Sequence, residues 1–204
     1  MDGFYSLFFL WSVWIYTTFI LSRQNQLRFR IAFLSLLLLI VYPFSISLFS
    51  IPMQLSSIIL LIICYFYFSK LKFWKKVYMF LAIFIIMIGY SGFSLLELYD
   101  PVWIFMDRKF LFGFVLFLLA QLLYPRSLPS QILCAFTGTI HGEIIYSLIL
   151  KKWGFPYIIG DRSCLDICAL VIFFLLSWFM INKMITSITL KNNVLKENKA
   201  KLLK

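Results

Sequence analysis

Charge is scarce in this chain. Of 204 residues only 13% are Asp, Glu, Lys or Arg, while 63% are hydrophobic and mean hydropathy is +0.95; a water-soluble domain carries about a quarter charged residues. That excludes a soluble protein and makes this an integral membrane one. Since a crossing needs about 20 apolar residues, the length admits about seven or eight spans and no separate catalytic or DNA-binding module. Histidine is scarcer still. The single one, His141, excludes His-rich intramembrane zinc hydrolases and H-E-x-x-H metalloproteases. Four cysteines do not make a metal centre either: Cys64 and Cys134 sit in apolar runs, and Cys164 and Cys168, one turn apart, lack the further ligands of a tetrahedral zinc site. The glycines form no G-x-S-x-G elbow, P-loop or G-x-G-x-x-G. Neither the acyl-phosphate motifs of small seven-span glycerol-phosphate acyltransferases nor the paired aspartates of phosphatidyl transferases occur. No cofactor is expected, and an enzyme is disfavoured. The net charge of +11 is that of loops retained on a cytoplasmic face, so nucleic acid is not an expected partner.

What is present is a series of apolar runs. The first, about 4–21, comes after only Met-Asp-Gly and lacks the basic region and cleavage site of a signal peptide, so it is expected to stay in the protein. Runs at 31–50 and 51–69 abut, with Pro52 marking a bend; together they are too long for one crossing and predict a helical hairpin with Ser50, Pro52 and Gln54 at its tip. Further spans are expected at 77–96, 102–124, 130–150 and 165–182, with a basic tail at 183–204. The fifth is the awkward one. Phe110–Tyr124 alone reaches about 22 Å, short of a core near 30 Å, so the helix is expected to start after Pro101 and carry Asp107, Arg108 and Lys109 into the membrane's edge.

Seven spans put alternate loops on opposite sides, and 14 of the 19 basic residues fall on one of them, the side of the Lys-rich tail. Asp2, Glu97, Asp100, Asp107, Asp161 and Asp166 fall on the other. The reading is an all-α protein with seven transmembrane helices, N-terminus outside and C-terminus cytoplasmic.

Ionisable groups inside a bilayer are functional candidates by default. In span six, Thr137-Gly138-Thr139-Ile140-His141-Gly142-Glu143 puts His141 near the midplane, about 16 Å along the axis from Ser130, with Glu143 slightly beyond. Two residues apart, they face different sides, so span six is expected to be central. One reading makes Glu143 a titrating carboxylate with His141 as relay or substrate contact. The other makes both interhelical hydrogen-bond partners, with Gly138 and Gly142 as a small-residue packing face. If span five starts early, Asp107, Arg108 and Lys109 join Glu143 and His141 in a polar pocket open to the outside; otherwise they belong to a solvated loop with Trp103 as interfacial anchor. The tail, Lys191 to Lys204, alternates Lys with Val194, Leu195, Leu202 and Leu203. It can lie on anionic lipid, meet a partner, or simply fix orientation.

The start Met1-Asp2-Gly3 with Trp11 and Trp14, the seven short spans, His141-Gly142-Glu143, and Gly160-Asp161-Arg162 before span seven resemble the YphA-like membrane proteins of Bacillus-type bacteria. The resemblance covers the whole chain. It implies a multi-pass protein of a bacterial plasma membrane and carries over no catalytic or binding residue. The leading expectation is a non-enzymatic accessory or scaffold protein, partnered by the bilayer and another membrane protein, its oligomeric state unknown. On it, Leu at Gly138 or Gly142 breaks a specific complex while Glu143→Gln leaves activity nearly intact. The alternative is a small transporter or ligand-capture subunit, built around Glu143, His141 and Asp107–Lys109.

Overall fold

The computed structural model describes residues 2–22, 26–48, 51–100, 107–125 and 127–202, with 26, 48 and 190–202 by backbone alone. Seven α-helices among them run alternately up and down: α1 Phe4–Ile15, α2 Gln26–Val41, α3 Leu55–Ser69, α4 Phe73–Tyr99, α5 Arg108–Leu123, α6 Leu128–Lys152 and α7 Arg162–Leu202. Three of them, α4, α6 and α7 as far as Thr189, are long and apolar enough to cross a membrane.

Several boundaries depart from the apolar runs. α1 continues as one wider π turn, Tyr16–Ile20. The carbonyls of Thr17 and Thr18 there accept from Arg28 Nε at 3.0 Å and its terminal nitrogen at 2.6 Å. A cation thus closes the C-terminal end of the helix. α2 stops at Val41, and the tip of the expected helical hairpin is a two-stranded antiparallel sheet, β1 Ser45–Leu48 with β2 Ile51–Gln54. Pro52 cannot donate from its nitrogen, which suits an edge strand; its carbonyl accepts from Ile159 N at 2.9 Å, and Gln54 N donates to Ile159 O at 2.9 Å. The loop before α7 therefore adds to the sheet. Ser50 lies outside the described residues, as does 101–106, which includes Trp103. α5 begins at Arg108 rather than 102, with the Asp107 carboxylate accepting from Lys109 N at 3.0 Å as its N-cap.

The main core lies among α4, α5, α6 and α7, around Met79, Ile86, Leu116, Ala120 and Ile167; a second cluster joins Phe136, Ile140 and Leu165 to Tyr42. α6 is the axis of the bundle, buried without interruption from Cys134 to Ile140. Its glycines let α4 approach. A Cβ on Gly138 would sit 2.6 Å from Ile86 Cγ2, and one on Gly142 would sit 2.9 Å from Tyr90 Cβ and 3.0 Å from the Met87 carbonyl. The small-residue face thus belongs to a helix of the same chain, and a partner cannot use it.

Candidate functional site

Three polar constellations hold the residues singled out from the sequence, two of them at the end that carries the β-hairpin. The first is built on Asp166, one turn into α7 and fully buried at 0% exposure. It accepts from the Gly3 and Ser6 amides at 2.8 and 2.9 Å, from Ser6 Oγ at 2.9 Å and from Lys109 Nζ at 2.7 Å. Those amides are free donors at the start of α1, where a negative charge is also favoured by the helix dipole. Ser6 Oγ in turn accepts from Tyr42 O–H at 2.8 Å. Lys109 also pairs with Asp2 at 3.0 Å, which holds the Asp2 carboxyl below its ordinary value of 3.8. One lysine between two carboxylates therefore ties α1, α5 and α7 together. Next to it, Arg108 Nε pairs with Glu97 Oε2 at 3.0 Å, joining α5 to the end of α4.

The second constellation surrounds Glu143, 1% exposed on α6. Its Oε1 accepts from Tyr90 on α4 and from Tyr157 in the loop before α7, both at 2.9 Å. Its Oε2 accepts from the Gly160 amide, and the Cys164 thiol adds a fourth contact. Burial beside that carboxylate pushes the Tyr157 phenol far above its usual value, so it remains a donor. Gly160 has φ +68, and a Cβ there would run into Ser57, whose hydroxyl donates to the Gly160 carbonyl at 3.0 Å. Both reasons require glycine.

His141 faces elsewhere. Its Nδ1 lies 2.7 Å from the Thr137 carbonyl and must carry the proton, so Nε2 is free in the neutral ring to accept from Tyr65 O–H at 2.6 Å. The ring borders a largely apolar cavity of about 310 Å³ between α3, α4 and α6.

The five residues singled out from the sequence are thus not one pocket. Glu143 sits with Tyr90, Tyr157 and Gly160, His141 with Tyr65, Lys109 with Asp166 and Asp2, Arg108 with Glu97, and Asp107 caps its own helix. The residue that sequence reasoning underrated is Asp166. Grouped there with an outer loop, it is the most enclosed acid of the described residues, and its signal was available: a carboxylate followed by Ile-Cys-Ala-Leu-Val-Ile inside an apolar run.

Glu143 and Asp166 each accept from donors on at least two other segments, which meets the hydrogen-bonding need of a buried carboxylate. Comparison with known proteins agrees with a membrane bundle. No solved structure matches this chain. It is 22% identical over 169 residues, 83% of each chain, to the Uncharacterized protein YphA of Bacillus subtilis (strain 168). The model of the YphA-like integral membrane proteins matches residues 2–201. With nearly the whole length matched, the chain belongs to the YphA-like integral membrane protein family.

Proposed function

We propose that this chain is a seven-span protein of a bacterial plasma membrane, N-terminus outside and C-terminus cytoplasmic, that acts without catalysis as an accessory or scaffold through its basic cytoplasmic arm. One observation carries the reading: α7 does not stop where its apolar part stops. Arg162–Leu202 is 41 residues of continuous helix, about 60 Å at 1.5 Å per residue and twice a hydrocarbon core near 30 Å. The stretch to Thr189 suffices to cross, and the remainder of the helix carries Lys191, Lys196, Lys199 and Lys201. A charged helix continuous with a membrane span is a means of presenting a surface to a partner protein at a fixed place and angle.

The seven alternating helices support seven crossings, and the concentration of basic residues at the α7 end supports a cytoplasmic C-terminus. The transport alternative draws less support. Its five residues are divided among separate partners, and Glu143 is enclosed by donors that would have to be displaced before a substrate could reach it.

The test compares the full chain with a version ending at Thr189, each affinity-purified in mild detergent from the source bacterium's membrane, with mass spectrometry of proteins and small molecules. A stoichiometric protein retained by the full chain and lost by the shorter one is the expected result. Two bare chains with a retained polar small molecule would turn the reading to transport or capture.

A further inference from the structure

A narrow cavity of about 230 Å³ lies between α1, α2, α3, α6 and α7. Its wall is almost wholly apolar, with Leu10, Leu38, Leu60, Phe136 and Ala169 among the side chains that form it. On α2 the lining residues run from Ile31 to Tyr42, about 16 Å at helical rise and close to half of a 30 Å hydrocarbon core. The slot is therefore one leaflet deep. An apolar space of this kind does not hold water, which needs polar partners.

The two ends of the slot differ. Ser6, Tyr42 and Ser56 line it at the hairpin end, while the opposite end is Val13, Ile31 and Leu34 with Ser35, whose hydroxyl is taken up by the Ala32 carbonyl at 2.9 Å. The hydroxyls of Ser6 and Tyr42 are occupied by each other and by Asp166. Ser56 is different: it is 1% exposed, and its Oγ has no hydrogen-bond partner among the described residues. A buried hydroxyl without a partner is uncommon in a native protein and asks for a group to meet it.

We propose that the slot holds one acyl chain of a membrane phospholipid, drawn from the leaflet at the hairpin end, with the Ser56 side chain, itself covered, turning about its Cα–Cβ bond to donate its hydroxyl hydrogen to the ester carbonyl. The geometry is mutually consistent. The ester of a phospholipid lies at the edge of the hydrocarbon, where Ser56 sits at the start of α3, and the chain hangs one leaflet inward, where the wall is apolar. α2 rests chiefly on α1 and only lightly on α3, so the seam between α2 and α3 is the entry from the bilayer. Burial of the chain's methylenes among side chains, together with the one directed hydrogen bond, distinguishes this lipid from those that merely wet the outside. The site is independent of the accessory reading, since it involves neither the arm nor a protein partner.

The experiment places the full chain in phosphatidylglycerol vesicles doped with an analogue carrying a diazirine near the end of one acyl chain, irradiates them and maps adducts by mass spectrometry. Adducts concentrated at Val13 and Leu34, at least five-fold above those at the outward-facing Leu122, are expected. Leu60→Trp and Ala169→Phe, which fill the slot from different helices, are expected to bring them down to the Leu122 level. Ser56→Ala is expected to lower them roughly five-fold, the loss of one hydrogen bond. Uniform labelling like that of Leu122 would overturn the site, and the wild-type map decides this even if a filled variant does not assemble. Labelling unchanged by Ser56→Ala overturns the assignment of the polar end. Labelling by a diazirine fatty acid but not by the phospholipid overturns the phospholipid as occupant.

Discussion

Glu143 and Asp166 are carboxylates with no access to water, and the role of each is set by the donors around it. Glu143 takes three hydrogen bonds from α4, the loop before α7 and that loop's Gly160. Gln in its place keeps the shape but turns an amide NH2 toward groups that themselves donate. Glu143→Gln is expected to destabilise the protein by about 1–3 kcal/mol, the penalty for leaving a buried polar group unsatisfied, seen as a lower melting temperature in detergent; an unchanged one would point to a carboxylate that is not structural. Asp166→Asn is expected to cost about 3–5 kcal/mol, because Lys109 then loses its fully buried counter-charge, Asp2 being mostly exposed. Combining it with Lys109→Met should recover part of that loss, since no buried charge is then left unpaired and Asp2 is exposed to water. Asp2 adds a pH dependence of known sign. Its carboxyl is held below 3.8 by Lys109, so its contribution is present above that value and fades as pH falls through the lower folded value. The small stability difference between wild type and Asp2→Asn should be flat from neutral pH down to 3.8 and vanish below. At this scale the sequence was half legible. That Glu143 and His141 lie deep and on different faces can be read from spacing; that Tyr90, Tyr157 and Gly160 meet around Glu143 cannot, because they come from segments 53, 14 and 17 residues away.

Helices were legible where periodicity and length suffice, and their ends were not. The runs that abut near Pro52 read as a helical hairpin, but the backbone there is better satisfied by pairing Ser45–Leu48 with Ile51–Gln54 and adding Ile159. No local signal announces a partner from more than 100 residues downstream. α5 likewise takes Asp107 as its cap, where the need for length argued for an earlier start. Gly138 and Gly142 are a different case: the spacing marks a small-residue face, and it is α4 of the same chain that approaches it. With Tyr90 Cβ and the Met87 carbonyl within 3.0 Å of an added Cβ, even Gly142→Ala is expected to cost about 1–3 kcal/mol. Gly142→Leu should prevent assembly of the bundle altogether. Gel filtration in detergent checks both, and a Leu variant that elutes as a well-folded protein would place that face outside the core.

For the whole molecule, the polar contacts at one end of the bundle link Gly3 to Asp166, Lys109 to Asp2 and Pro52 to Ile159, so the N-terminus, the hairpin and the loop before α7 share a side. The expected topology can be probed on that basis. Single cysteines introduced at Asp2 and Ile158 in a background without the native four should react with an impermeant maleimide from outside intact cells, and one at Lys72 only after the membrane is opened. Among the described helices α7 is the longest, running on past its apolar part at Thr189 to Leu202. Composition and charge alternation already announced a membrane bundle with a basic tail; that the tail continues a span as one helix was not visible, since Lys and Asn at its start read equally as a frayed end. Whether the protein acts through that arm is settled by a photocrosslinking residue at Val194 of the full chain in its own membrane and identification of the adducts. One discrete protein adduct is expected, absent when the same residue is placed at Leu122; adducts to lipid alone, or to a scatter of unrelated proteins, would show that the arm has no specific partner.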